Sequence, residues 1–286
     1  MRAWRRLDTL KAQSSLRAWL YKIATNVSLD MLDQRKARMM PSLAFGPSNP
    51  GDPLPDPIND PIWLDPLPEE YLAGLSLSPD ALYDVHESVS LAFLAVLQYL
   101  PGRQRAVLIL RDVLCWRAQE VAELLEISVP AVNSALQRAR TTLKKHPLDL
   151  AQYGPTIDFD QQVAGLLSEY VRAWETADAA RLVGLLREDA VMTMPPLPAW
   201  YRGPAAIREF LESHVFIGQV QGRFHLLPTR ANACPAFAMY QMDQNGIYRP
   251  AALHILTVVQ GQIARIDDFL TAGTRLFSRF RVPLTG

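Results

Sequence analysis

The placement of proline constrains this chain more than any other feature. Ten of the 22 prolines in the 286-residue sequence lie between Pro41 and Pro79. Proline lacks an amide donor and turns its predecessor away from helix, so neither a long helix nor a central strand can cross that stretch. The chain is therefore divided into blocks, and its length suits about two domains. Charge follows the same division. Residues 1–40 hold nine Lys/Arg against three acids, and residues 41–100 hold nine acids with no Lys or Arg. Residues 101–150 hold eight basic against five acidic, and 151–286 balance at twelve each, all of the cations being Arg. The net charge of zero conceals this ordering, yet a polyanion responds to the local field within ~10 Å. On charge alone, two basic blocks about an acidic spacer read equally well as two nucleic-acid contacts or as differently solvated surfaces.

Hydrophobic residues at 49% and charged residues at 20% exclude a wholly disordered chain. No apolar run approaches the ~18–20 residues of a membrane span, and no signal-type apolar core follows the basic start. The expectation is a soluble, cytoplasmic protein without a membrane partner. Cys115 and Cys234 are too few for a disulfide framework or a zinc site and are expected as buried small hydrophobes. No Gly-rich phosphate loop, metal cluster or nucleophile elbow is present, so neither cofactor nor metal is expected.

Along the chain, residues 14–38 read as one helix, capped at Ser14 or Ser15 and ending in a basic run. Met1–Leu7 is also expected to be helical. Residues 41–79 form an acidic linker with a small apolar knot, Ile62-Trp63-Leu64 and Tyr71-Leu72, able to dock on a neighbour. Residues 80–146 read as an all-helical unit, with helices over 91–100, 103–114, 117–125 and 129–145. A second linker spans 147–160. Residues 161–286 read as α+β: helices near 161–174, 178–187 and 204–214, then strands at 222–228, 235–242, 250–259 and 263–269. Gly261 marks a tight hairpin between the last two, and the sheet is expected to be antiparallel.

The strongest local signal runs from Ala118 to Arg140. Val121, Ala122 and Leu125 point inward from one helix, Ile127 plugs the turn, Ser128 caps the next helix, and Val132 and Leu136 point back. Pro130 sits in the first turn, where a missing amide costs little. This is helix-turn-helix spacing, and the second helix would present Pro130, Asn133, Ser134, Gln137 and Arg138 to the major groove. Asn and Gln pair with adenine edges and Arg with guanine or phosphate. Arg140, Lys144 and Lys145 lie further along and suit phosphates.

The run LPGRQRAVLILRDVL…EVAELLEISVPAVNSALQRARTTL resembles the fourth conserved region of the sigma-70 family, in its extracytoplasmic-function (ECF) type. SSLRAWLYKIATNVSLDMLDQRKAR is similar to the end of that family's second conserved region. The resemblance implies a sigma factor that binds core RNA polymerase and promoter DNA for transcription initiation, and no enzyme. It places Trp19, Tyr21, Asn26, Arg35, Lys36 and Arg38 on the DNA-facing part of the promoter-melting domain. Aromatic rings can stack on unpaired bases and cations can hold the strand, although Trp19 also lies on the apolar stripe. Family members usually carry about two more helices before MRAWRRLD, so residues 1–40 are expected to be a truncated second region. That departure leaves a DNA-binding regulator that does not engage polymerase as the alternative.

LLSEYVRAWETADAARLVGLLREDAVMTMPPLPAWYRGPAAIREFL, with RPAALHILTVVQGQIARIDDFL, resembles a SnoaL-like domain. The resemblance implies a curved antiparallel sheet wrapped on a helix into a conical pocket. The whole chain is thus expected as an all-α part followed by an α+β SnoaL-like cone. Candidate pocket groups are His225, Tyr240, His254, Asp267 and Asp268, with Trp174, Trp200 and Tyr201 as walls. A convergent His–Asp pair could serve as general acid and base, which would make the cone a cyclase or isomerase. The bland alternative is a hydrogen-bonded core histidine in a domain that binds a small-molecule or protein regulator.

Overall fold

The computed structural model describes residues 16–34, 38–58, 63–73, 94, 97–145, 161–218, 220–270 and 275–284. The expected helix at Met1–Leu7, its successor's cap at Ser14 or Ser15, Arg35, Lys36, Ile62 and the linker over 147–160 lie outside them. So does most of the helix expected over 91–100. The chain forms two compact units, residues 1–37 with 96–147, and residues 38–95 with 148–286.

The first unit is helical. Helix α1 (Leu16–Gln34) packs on the later helices α4 (Gly102–Leu108) and α5 (Ala118–Leu125). Between α4 and α5 the chain widens into a π-helical turn, Ile109–Val113, closed by Leu114 N–H donating to the Ile109 carbonyl at 2.9 Å. Helix α5 ends at Glu126, whose left-handed φ of 55° reverses the chain, and α6 (Val129–Lys145) follows. Val132, Ala135, Leu136 and Ala139 recur at three- and four-residue steps and are all buried. They lie on a helix packed against α5, whose Val121, Ala122 and Leu124 are buried in turn. Leu124, rather than Leu125, is the buried leucine of that helix.

The second unit is a six-stranded sheet in the order β2-β1-β6-β5-β4-β3. Its strands are β1 (Leu186–Thr193), β2 (Trp200–Arg202), β3 (Phe224–Ala231), β4 (Cys234–Met242), β5 (Tyr248–Val259) and β6 (Gln262–Leu270). The sheet is mixed, because β1 runs parallel to β6 while every other pair is antiparallel. This corrects the expected antiparallel sheet and the helix drawn to residue 187. Helix α8 stops at Gly184, and β1 then runs without alternation over Ala190–Thr193, all four buried. The predicted hairpin between β5 and β6 is present, with Gln260 and Gly261 at φ of 51° and 76°, the left-handed pair a two-residue turn needs.

One sheet face is covered by α7 (Gln161–Glu175), α8 (Ala179–Gly184) and α9 (Pro204–Phe210). Their Tyr170, Trp174, Leu182, Ile207 and Phe210 pack against Phe237, Met239, Leu256 and Ile266. The opposite face is covered by the proline-rich segment. Met40 and Leu64 pack with Ala236, Leu253, Ile255, Phe269 and Phe280 in a second apolar cluster. Here the acidic linker is a strap rather than a free spacer. Two short helical turns, α2 (Pro41–Ala44) and α3 (Glu70–Ala73), punctuate it. The strap is tied by backbone: Ser48 N–H donates to the Trp200 carbonyl at 2.8 Å, and Ile58 N–H to that of Pro196 at 2.9 Å. Asn232 clamps Leu67 from both sides, its amide donating to the Leu67 carbonyl and its Oδ1 accepting from the Leu67 amide, each at 2.9 Å. Of the predicted apolar knot, Trp63 and Leu64 are buried, whereas Tyr71 is exposed. Cys115 is likewise exposed, against expectation, while Cys234 is buried.

Candidate functional site

Helix α6 divides sharply into an inner and an outer flank. Ser128 Oγ accepts from the Ala131 amide at 3.3 Å, capping the helix. Ser128, Pro130, Asn133, Ser134, Gln137, Arg138 and Arg140 are all exposed. Asn133, Gln137, Arg140 and Thr141 line a common surface depression with Leu136. Arg140 is not loose: its Nε and guanidinium amine donate to Asp112 at 3.0 and 2.8 Å, tying α6 to the π-helical turn. That bond holds its guanidinium still more firmly charged. Only the backbone of Lys144 and Lys145 is described. The inner flank is hydrophobic and closed, so the chemistry available outward is amide, hydroxyl and guanidinium.

The residues assigned to the second DNA contact fare differently. Trp19 is a core residue of the helical unit, 8% exposed, which corrects its assignment to the DNA-facing surface. It lies on the face of α1 that α4 and α5 cover, and an indole there gains more from burial than from solvent. Tyr21 is exposed and meets Trp116 edge-on at 5.6 Å. Asn26 is half-buried. Arg38 belongs to the other unit, where it pairs with Asp65 at 3.2 Å.

The eight candidate pocket residues do not all converge. Trp174, His254 and Asp268 meet on the helix-covered face, and Tyr201 stacks on Phe210 in the same layer with ring centroids 4.5 Å apart. Burial, with Asp52 of the strap nearby, pushes the Tyr201 phenol up to about 12. Trp200 turns to the strap and donates its Nε1 to the Phe45 carbonyl at 2.8 Å. Tyr240 lies on the opposite face, against Phe277 and donating to the Pro283 carbonyl. His225 sits on the edge strand, 2.9 Å from Glu175. Strand alternation puts Tyr240, in step with Ala236 and Ala238, on the sheet face away from Trp174, His254 and Asp268.

What does converge is a fully buried cluster of Tyr170, Trp174, His254 and Asp268. The pairing of β5 with β6 sets His254 opposite Asp268. Tyr170 Oη lies 2.8 Å from His254 Nδ1, and the Trp174 ring is 4.6 Å from the imidazole. His254 Nε2 and Asp268 Oδ1 approach to 3.4 Å without hydrogen-bond alignment, and among the described residues neither atom has a hydrogen-bond partner. Contact between the two would favour an ion pair, but burial opposes both charges and prevails. It pushes the Asp268 carboxyl up to about 8, helped by Asp267, and the His254 imidazole down to about 3. The pair is therefore neutral near pH 7. Tyr170, which the sequence reading missed, is held well above the ordinary phenol range by the same burial. Its only signal was its place one turn before Trp174 on the apolar face of α7.

Asp267 points the other way. Arg265 Nε donates to both of its oxygens at 2.7 and 2.8 Å, Thr193 Oγ1 donates to it at 2.7 Å, and Arg265 also reaches Ser42 of the strap at 3.1 Å. Among the described residues no His, Cys, Asp and Glu group could hold a metal ion, and no helix is long and apolar enough to cross a membrane.

Comparison with known proteins finds relatives of both parts of the chain. The sigma-70 region 4 family matches residues 90–143 and the SnoaL-like domain family matches 167–266. The ECF RNA polymerase sigma factor SigG of Mycobacterium tuberculosis is 37% identical over 285 residues, 99% of this chain and 75% of that protein. The chain belongs to the ECF RNA polymerase sigma factors. Another member, SigW of Bacillus subtilis, is 25% identical to this sigma factor over 150 residues, 52% of this chain and 72% of SigW. The fold is that of the crystallised M. tuberculosis sigma factor SigJ, with a TM-score of 0.56 at 19% identity, covering 99% of this chain and 88% of that one.

Proposed function

We propose that this sigma factor directs core RNA polymerase to promoters, reading the upstream element with helix α6. Asn133, Ser134, Gln137 and Arg138 contact base edges, Ser128 and Pro130 set the helix entry, and Lys144 grips phosphate. Arg140, held by Asp112, orients the helix. Asn26, Arg35 and Lys36 belong to the second contact. The observation that carries this reading is the outer flank of α6, polar and exposed along the length of a helix whose other flank is closed. The SnoaL-like domain acts as a modulator, answering to a small-molecule or protein regulator through the strap that joins it to the DNA-reading parts. The test is transcription reconstituted with purified core polymerase, with footprinting of the upstream element. Promoter-specific transcripts and protection of that element, both lost in a Gln137→Ala/Arg138→Ala double variant, are expected. DNA binding without polymerase association would replace this reading with a regulator acting alone. Unchanged transcription rate and ligand response after removal of residues 155–286 would remove the modulator role.

A further inference from the structure

Between the strap and the end of the sheet lies a cavity of about 400 Å³, within the size range of small-molecule sites. Trp63 and Leu64 of the strap, Pro195, Pro196, Phe269 and Leu276 give it apolar walls. Its charged groups are unbalanced, with Arg275 and Arg279 against the single carboxylate of Asp65. That carboxylate is shared: Oδ2 lies 3.2 Å from Arg38 and 3.4 Å from Arg279. Arg275 is exposed and forms no ion pair among the described residues.

We propose that this cavity binds a small amphipathic carboxylate, whose headgroup displaces Asp65 from Arg279 and Arg38 and so frees the strap around Leu64. An apolar cavity beside two guanidiniums matches a molecule with one anionic end and a hydrocarbon or ring body, since a guanidinium fork and a carboxylate are geometrically complementary. The displaced contact is a weak one. Asp65, Arg38 and Arg279 keep between 38% and 47% of their side-chain exposure, and ion pairs of that exposure hold little free energy against solvent and salt. Asp65 is also placed to transmit the exchange. The next residue before it, Leu64, donates its amide to the Met39 carbonyl at 3.1 Å and packs into the sheet-face cluster. A ligand taking the guanidiniums therefore acts next to the bond that closes the strap on itself and to the side chain that packs it on the sheet. The proposal deepens the modulator role assigned to the strap and rests on it, so its test needs no polymerase.

The full chain is titrated calorimetrically with decanoate below its micellar concentration, with decanol as the neutral control. Hydrogen exchange is followed over residues 63–73. One saturable site for decanoate, none for decanol, and faster exchange of the strap at saturation are expected. An Arg275→Gln/Arg279→Gln double variant should bind tenfold or more weakly. Asp65→Asn, which keeps both guanidiniums and removes the competitor, should bind several-fold more tightly and gives a second reading should the double variant fold poorly. Absence of saturable heat, equal binding of decanol, undiminished affinity in the folded double variant or unchanged strap exchange at saturation would each overturn the proposal. Binding with strap release but no change in transcription would count against the modulator role and leave the site standing.

Discussion

Replacing Asp268 by Asn should flatten the alkaline side of the stability profile of the SnoaL-like unit. In the fold Asp268 ionises near 8, against 3.8 for an ordinary aspartate. Between those values the folded chain holds a proton that the unfolded chain has released, so its contribution is complete at low pH and is lost as pH rises toward 8. His254 has the opposite sense. It titrates near 3 in the fold and near 6.5 when free, so its contribution is complete above 6.5 and is lost as pH falls. Between about pH 4 and 6.5 the two slopes cancel. From 6.5 to 8 only Asp268 acts, and at roughly 1.4 kcal/mol per pH unit the loss over that interval is about 2 kcal/mol. The assay is urea unfolding at pH 5.5, 6.5, 7.5 and 8.5, read by hydrogen exchange in β5 and β6 so that the helical unit does not contribute. The wild-type chain should lose about 2 kcal/mol between pH 6.5 and 8, and Asp268→Asn should remove that loss. A wild-type profile flat across this interval, or an equal slope in the variant, would refute the neutral-pair reasoning.

Three further outcomes follow from the geometry. Arg265→Met leaves Asp267, 1% exposed, without its bidentate partner, and should lower thermal stability by about 3–5 kcal/mol. Asn232→Ala removes the acceptor for the Leu67 amide and puts a second alanine in a left-handed turn, where Asn232 has φ of 53°. About 1–3 kcal/mol of strap stability should be lost, visible as faster exchange of the Leu67 amide in an otherwise protected sheet. Gln137→Ala should weaken binding to the cognate site by about 1–3 kcal/mol and relax base preference; equal loss on every DNA sequence would contradict a reading role.

The helix-turn-helix was legible because its information is local. Val132, Leu136 and the Ser128 cap lie within one stretch, and the 3.6-residue period exposes the inner flank directly. Strands β3 to β6 were legible for a similar reason, being sequential neighbours joined by short turns. Strand β1 was not. Its parallel partner β6 lies far along the chain, and its second half is covered on both faces, so no alternation marks it. The docking of the strap depends on pairs such as Asn232 with Leu67 and Trp200 with Phe45, which leave no trace in either local sequence. The one available clue was complementarity between a linker with acids and no cations and a domain whose cations are all Arg. The candidate pocket failed on facing: Tyr240 stands in step with Ala236 and Ala238 on the face turned away from His254, and which face of a strand looks inward is something that composition cannot carry.

That complementarity also fixes how the strap can be undone. Asp65, Glu69 and Glu70 meet Arg279, Arg230 and Arg281, and no lysine occurs anywhere in residues 38–95 or 148–286. A guanidinium stays protonated throughout the physiological range, and acetylation, which neutralises lysine, has no target there. Acyl-transfer enzymes and alkalinity therefore have no purchase on this fastening. Ionic strength and rival anions do.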